Sequence, residues 1–103
     1  MDKITGLREI LVLDPKNSFA RYGLAMELAG RGETAAAMAE FDMLLENDPG
    51  YTAGYFMAAQ TLANAGRTAE AIERLKAGID SAAQSGNSHA QSEMQAMLDE
   101  LEG

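Results

Sequence analysis

The side chains with catalytic potential in this chain are carboxylates, and two groups of them each share a helical segment, at 40–46 and 70–73. General acid–base catalysis needs two carboxylates in one cleft, with pKa values driven apart by their surroundings. These groups instead fall between candidate core positions of helical segments, on the polar faces. Glu70 also precedes Arg74 by four residues, which predicts an ion pair on a helix surface. We therefore interpret these carboxylates as a solvated surface.

Histidine and cysteine provide even fewer candidate catalytic or metal-binding residues than the carboxylates. The chain has one histidine, His89, and no cysteine, which excludes thiolate nucleophiles, disulfides and thiolate metal sites. We expect His89, after the polar turn 86–88, to be an exposed residue at a helix start. The sequence contains no nucleophile elbow, zinc-protease motif or phosphate-binding loop. It therefore predicts a protein that is not an enzyme, with no catalytic residue, metal site or cofactor.

Charge and composition narrow the class of partner. The 103 residues include 16 acidic and 8 basic ones, for a net charge of −8, and 47% are hydrophobic. Such a chain supports one packed domain and repels nucleic acid, while its excess of negative charge favours partners with basic flanks. The longest uncharged run, 49–66, is too polar for a membrane span, and the N-terminus lacks a signal-peptide pattern. We expect a cytoplasmic protein with no membrane partner.

The elements that position these side chains follow a 34-residue interval. Sliding 18–51 onto 52–85 aligns seven identical residues, clustered around a glycine turn. Apolar residues recur at helical spacing within each unit, and Asp-Pro pairs or glycines separate the segments. We predict that Thr34 and Thr68 cap helices, and that Ser88 begins a capping box. The predicted helices are six, at about 3–13, 18–30, 34–47, 52–65, 68–84 and 88–102.

The residues at these intervals resemble the tetratricopeptide repeat, a helix–turn–helix unit of 34 residues. The pattern consists of Leu24-Ala25, Leu28, Gly32, Ala37, Phe41 and Asp48-Pro49, and the second unit repeats it through Tyr55, Ala58-Ala59, Leu62, Gly66, Ala71 and Leu75. The resemblance implies an all-α fold, a right-handed α–α superhelix of about six antiparallel helices. It implies a single domain, 1–103, made of a half repeat 1–17, repeats 18–51 and 52–85, and a C-terminal capping helix in 86–103.

Three residues depart from the family pattern. Arg21 replaces a large aromatic residue, so we expect the first helix crossing to pack differently or the arginine stem to lie along it. Gly78 replaces alanine, at a cost of up to ~1 kcal/mol in helix propensity. Ala83 stands where an Asp-Pro stop is usual, so the fifth helix should run on towards Gly86. In the last helix we expect an apolar stripe of Ala90, Met94, Met97, Leu98 and Leu101, with Glu93 on the solvated face.

The resemblance also implies a concave groove, lined by the first helix of each repeat, in which partners bind as extended or helical peptides. Carried over by position, the partner-binding residues are Phe19, Tyr22, Met26, Phe56, Met57, Gln60 and Asn64. Their face is not needed for packing between the helices, and its apolar character suits an apolar or amphipathic peptide. Family members that bind chaperone tails hold a carboxylate with Lys, Asn and Arg, and those residue types are missing at the corresponding positions here.

Two alternatives stay open from the sequence. Phe19, Tyr22 and Phe56 can instead pack against one another or against a neighbouring chain, in which case no groove exists. The chain can also form a homo-dimer through the N-terminal half repeat, which lacks its usual preceding helix. The apolar residues expected to leave surface there are Ile4, Leu7, Ile10, Leu11 and Leu13.

Overall fold

The computed structural model describes residues 2–103, and over this part of the chain it contains helices and no strand. The helices are α1 (Lys3–Leu13), α2 (Ser18–Gly30), α3 (Thr34–Asn47), α4 (Thr52–Asn64), α5 (Thr68–Gln84) and α6 (Ser88–Glu102). The six predicted helices are confirmed, with α4 one residue shorter than expected. They stack in chain order into a helical-repeat solenoid with extents of 41 × 30 × 18 Å. No helix of the described residues is long and apolar enough to cross a membrane.

Two kinds of turn alternate along most of the chain. Asp14-Pro15 and Asp48-Pro49 end α1 and α3, because proline cannot continue a helix. Gly32, Gly66 and Gly86 end α2, α4 and α5 with positive φ angles of 72–78°. In each glycine turn the next residue's N–H bonds back to the carbonyl five residues earlier, at 2.8–3.0 Å. This is the Schellman arrangement, in which glycine adopts the left-handed conformation at little cost.

The predicted helix caps are wrong, although the helix starts are right. Thr34 and Thr68 are the first helical residues, and the residues before them form no side-chain cap. Before α6 the cap is Asn87, whose side chain accepts a hydrogen bond from the Ala90 N–H at 3.1 Å. Helices α3 and α5 therefore begin directly after the preceding turn, without a side-chain cap.

The core runs as a continuous layer between successive helix pairs. Its largest fully buried side chains are Phe41, Leu44, Leu62, Leu75 and Met94. Buried alanines lie where helices cross, at Ala25, Ala37, Ala58, Ala59, Ala71 and Ala82. Small side chains let the helix axes approach closely, so the larger ones between them reach native packing density.

Arg21 is buried at the first crossing, with only 9% of its surface exposed. Its guanidinium donates to a carboxylate oxygen of Glu40 at 2.6 Å and to the carbonyl of Pro15 at 2.9 Å. One repeat later, the Tyr55 hydroxyl donates to the carbonyl of Pro49 at 2.8 Å. The arginine thus forms the same link to the preceding turn that an aromatic residue forms in the second unit.

Gly78 is a site of close helix approach as well as a weak helix former. A Cβ atom there would lie 2.6 Å from Tyr55 Cβ and 2.5 Å from Met94 Sδ. Even alanine would overlap these neighbours, so the absence of a side chain lets α4, α5 and α6 meet. The predicted extension of α5 beyond Ala83 is confirmed, since this helix ends at Gln84.

The predicted ion pair between Glu70 and Arg74 is wrong. Arg74 donates instead to Asp42, which lies on α3. Glu70 accepts two hydrogen bonds from Arg67, which stands just before α5, and this contact raises the pKa of the arginine. The pair links α3 to α5, and spacing within one helix does not reveal such a contact.

Candidate binding groove

An apolar groove of about 310 Å³ lies between α4 and α6 and is closed at one side by α2. Helix α4 contributes Phe56 and Met57, half-buried, on the face opposite its buried Ala58-Ala59 pair. Helix α6 contributes Met94, which forms the fully buried floor. The complete lining is Tyr22, Thr52, Ala53, Phe56, Met57, Asn87, His89, Ala90, Glu93 and Met94.

Close packing beneath the groove fixes its two walls. A Cβ atom at Gly54 would lie 3.0 Å from side-chain atoms of Leu44 and Leu45, so α4 lies tightly against α3. Met94 of α6 fills the space over Gly78. Because these contacts belong to the core, the separation of α4 and α6 is set by folding and the groove exists before any ligand arrives.

Tyr22 forms the α2 side of the groove and is held by a second tyrosine. Its ring centroid lies 5.3 Å from that of Tyr51, and the ring planes are tilted by 44°. Burial, and then the proximity of Tyr51, raise the pKa of Tyr22 above its ordinary value of 10.0. The phenol therefore stays neutral at physiological pH, and the groove gains a fixed aromatic edge without charge.

A second groove of about 350 Å³ continues the first along α4 and α6. The two share Phe56 and Glu93, and the second is otherwise lined by Gln60, Ala96, Met97 and Glu100. The two together form a channel of two compartments in series, the first mainly apolar and the second lined equally by apolar and polar side chains. We call them the Tyr22 compartment and the Gln60 compartment.

The predicted partner-binding residues divide between this channel and the rest of the surface. Tyr22, Phe56 and Met57 line the Tyr22 compartment, and Phe56 and Gln60 line the second. Three others line neither compartment: Phe19, which is 80% exposed, Met26, which packs against the core, and Asn64, which is exposed. The roles of all seven in binding stay predictions.

The sequence interpretation missed the α6 wall. His89 and Glu93 are exposed, as expected of a solvated face, yet both line the Tyr22 compartment, and their side chains lie 3.1 Å apart. The available signal was a second stripe on α6, in which Glu93, Met97 and Glu100 recur at helical spacing beside the buried Met94 and Leu98. A capping helix was expected to shield the core, and here it also forms half of the channel.

Comparison with known proteins identifies the type of repeat. The profile of the tetratricopeptide repeat matches residues 28–98. The chain is 29% identical over 99 residues to the TPR repeat-containing protein PA0015 of Pseudomonas aeruginosa, which covers 96% of this chain and 94% of that protein. It is 33% identical to a tetratricopeptide repeat domain protein from Salinibacter ruber, whose solution structure superposes with a TM-score of 0.81 over 87% of this chain and 91% of that one.

A more distant likeness concerns the fold alone. The type III secretion translocator chaperone SycD of Yersinia enterocolitica is 21% identical and superposes with a TM-score of 0.84, covering 96% of this chain and 76% of its own. That structure holds SycD in complex with a peptide of the translocator YopD. A second SycD structure, described as an alternative dimer, superposes with a TM-score of 0.86 over the same shares of the two chains.

Proposed function

Because the chain belongs to the tetratricopeptide repeat family, we propose that it is a non-enzymatic protein–protein interaction module that binds an apolar or amphipathic peptide segment of a partner in the α4–α6 channel. Proteins of this family generally act as interaction modules. The proposed repeats are 18–51 and 52–85, preceded by a half repeat 1–17 and followed by the helix in 86–103. The compartments then lie between the first helix of the second repeat and that last helix.

The observation that carries this proposal is the apolar channel itself. Phe56, Met57 and Met97 are half-buried, and they pack on the core from one side while facing the channel on the other. Apolar side chains that are already held in place lose little entropy when a ligand covers them, so burying them contributes to affinity. The peptide bound by the structurally similar SycD supports the same kind of ligand for this fold.

The test replaces Met57 by glutamine, which changes polarity while keeping length, lack of branching and helix propensity. A peptide selected from a displayed random library against the wild-type protein serves as the ligand, and fluorescence anisotropy measures its dissociation constant. We expect Met57→Gln to weaken binding about tenfold, because the ligand then covers an amide that has no hydrogen-bond partner. Thermal unfolding should change little, since Met57 is only half-buried.

The matched control is Met43→Gln, the same exchange on the exposed face of α3. It should leave the dissociation constant unchanged. Equal affinities of the Met57 and Met43 variants for the selected peptide would contradict binding in the channel. A library that yields no binding peptide would contradict the proposed function itself.

Self-association is a second candidate function, favoured by a specific observation at the end of α1. Val12 and Leu13 are 79% and 88% exposed, and Ile10 is also exposed. The expected patch differs in part, because Ile4 and Leu11 are buried and Leu7 packs against the core. The remaining surface is small but strongly apolar, and a second copy of the chain would remove it from water.

A further inference from the structure

The charges along the channel all have one sign. Helix α4 has no charged residue over Thr52–Asn64, and α6 has neither Lys nor Arg over Ser88–Glu102. The lining of the two compartments contains Glu93 and Glu100, no Lys or Arg, and a single histidine. A ligand in the channel therefore meets apolar walls and carboxylates.

Most of the eight Lys and Arg residues pair with carboxylates outside the channel. Five of them form ion pairs outside the channel: Lys3 with Glu27, Arg21 with Glu40, Arg31 with Asp2, Arg67 with Glu70 and Arg74 with Asp42. Each pair cancels one carboxylate of the protein. Neither channel carboxylate pairs with Lys or Arg within residues 2–103, and Glu93 instead lies 3.1 Å from the His89 imidazole.

Glu93 and Glu100 have a defined spacing along the channel. They are seven residues apart on one helix, which places them about 10 Å apart along the α6 axis. Glu93 borders both compartments and Glu100 borders the second. Both residues are exposed, so their carboxylates lie at the rim above the apolar floor formed by Phe56 and Met97.

We infer that the ligand of this channel is a basic amphipathic peptide segment, whose apolar side chains enter the two compartments while Lys or Arg side chains pair with Glu93 and Glu100. This inference rests on the proposed function and adds the chemistry of the partner. The spacing of the two carboxylates matches cations seven residues apart on a helix, or three apart on an extended strand. The net charge of −8 would also speed the approach of such a segment.

The experiment uses the same displayed random library on the full chain, followed by measurements on the double variant Glu93→Gln/Glu100→Gln. Peptides selected on the wild type should combine apolar residues with an excess of Lys and Arg over Asp and Glu. The double variant should weaken binding of the best peptide by roughly two- to fivefold for each carboxylate removed. The loss should shrink as salt is added, because exposed ion pairs are screened.

The control is Glu46→Gln/Glu73→Gln, which changes the net charge equally on exposed positions of α3 and α5. It should retain nearly wild-type affinity. Selected peptides that are neutral or acidic, or equal affinities of the two double variants, would overturn the inference. If such peptides still lose affinity with Met57→Gln, the proposed function stands and only the charge of the ligand is wrong; if no peptide is selected, the proposed function fails first.

Discussion

Arg21 and Tyr55 occupy equivalent positions 34 residues apart, and different chemistry performs the same task at each. The tyrosine hydroxyl donates to the carbonyl of Pro49, and the guanidinium donates to that of Pro15. An arginine at a helix crossing must also have its charge compensated, and Glu40 on α3 provides this. An arginine in place of the aromatic residue thus also requires a nearby carboxylate. For this reason the sequence position of Arg21 alone did not predict how the crossing packs.

This arrangement predicts a stability difference between two variants of Arg21. Arg21→Ala should lower the free energy of unfolding by about 1–3 kcal/mol, since it removes both hydrogen bonds and leaves Glu40 without its partner. Arg21→Tyr should lose less, because tyrosine can restore the link to the Pro15 carbonyl. Urea denaturation followed by circular dichroism measures both, and equal losses would contradict the equivalence of Arg21 and Tyr55.

Single residues were predictable when their environment came from their own helix. Leu24, Leu28 and Phe41 were expected in the core from spacing alone, and they are buried. Arg74 was not predictable in this way, because its partner Asp42 lies on α3. Which residues face one another across two helices depends on crossing geometry, and spacing along one helix contains no information about it.

At the scale of the element, helix bounds were predictable because they depend on local backbone chemistry. Proline and left-handed glycine end a helix whatever surrounds it. The need for Gly78 was hidden, since propensity describes an isolated helix and predicts only a cost. The benefit appears when Tyr55 and Met94 are seen to occupy the space of its missing side chain.

We therefore expect Gly78→Ala to destabilise the protein, although helix propensity alone predicts that alanine stabilises it. Alanine would gain up to ~1 kcal/mol in the helix, but its Cβ would overlap Tyr55 Cβ, which belongs to a packed helix and has little freedom to move. We expect a net loss of about 1–2 kcal/mol in the free energy of unfolding, measured by urea denaturation.

The matched control for this change is Gly6→Ala in α1. Apart from its chain neighbours and the backbone of its own helix, no atom of residues 2–103 lies within 4 Å of a Cβ placed at Gly6. The same exchange should therefore stabilise the protein, by about 0.5–1 kcal/mol. If both variants are stabilised, close approach at Gly78 does not limit the packing of α5.

At the scale of the whole molecule, the stacking of helices was predictable and one wall of the channel was not. Tyr22, Phe56 and Met57 were expected to face a groove because the repeats leave that face free. The opposing wall comes from α6, which follows the two proposed 34-residue units. No repeat position therefore pointed to Ala96 or Glu100 as neighbours of α4.

Under the second candidate function, the exposed apolar residues at the end of α1 predict that the protein forms dimers in solution. Sedimentation velocity over a range of protein concentrations should show the wild type forming dimers. Val12→Gln/Leu13→Gln should remain monomeric, because two strongly exposed apolar side chains no longer favour contact. Met43→Gln is the control for an exposed apolar residue elsewhere. A wild type that stays monomeric at high micromolar concentration would contradict self-association and leave peptide binding unaffected.

The glycine turn at Gly86 has a consequence for any attempt to lengthen this array. Between Asp14 and Gly66, Asp-Pro turns and glycine turns alternate. The turns at Gly66 and Gly86 instead follow one another, so α5 and α6 are joined by the same type of turn as α4 and α5. Extra units joined behind Glu102 would follow two consecutive glycine turns, whereas units inserted between Tyr51 and Thr52 would keep the Asp-Pro and glycine turns alternating.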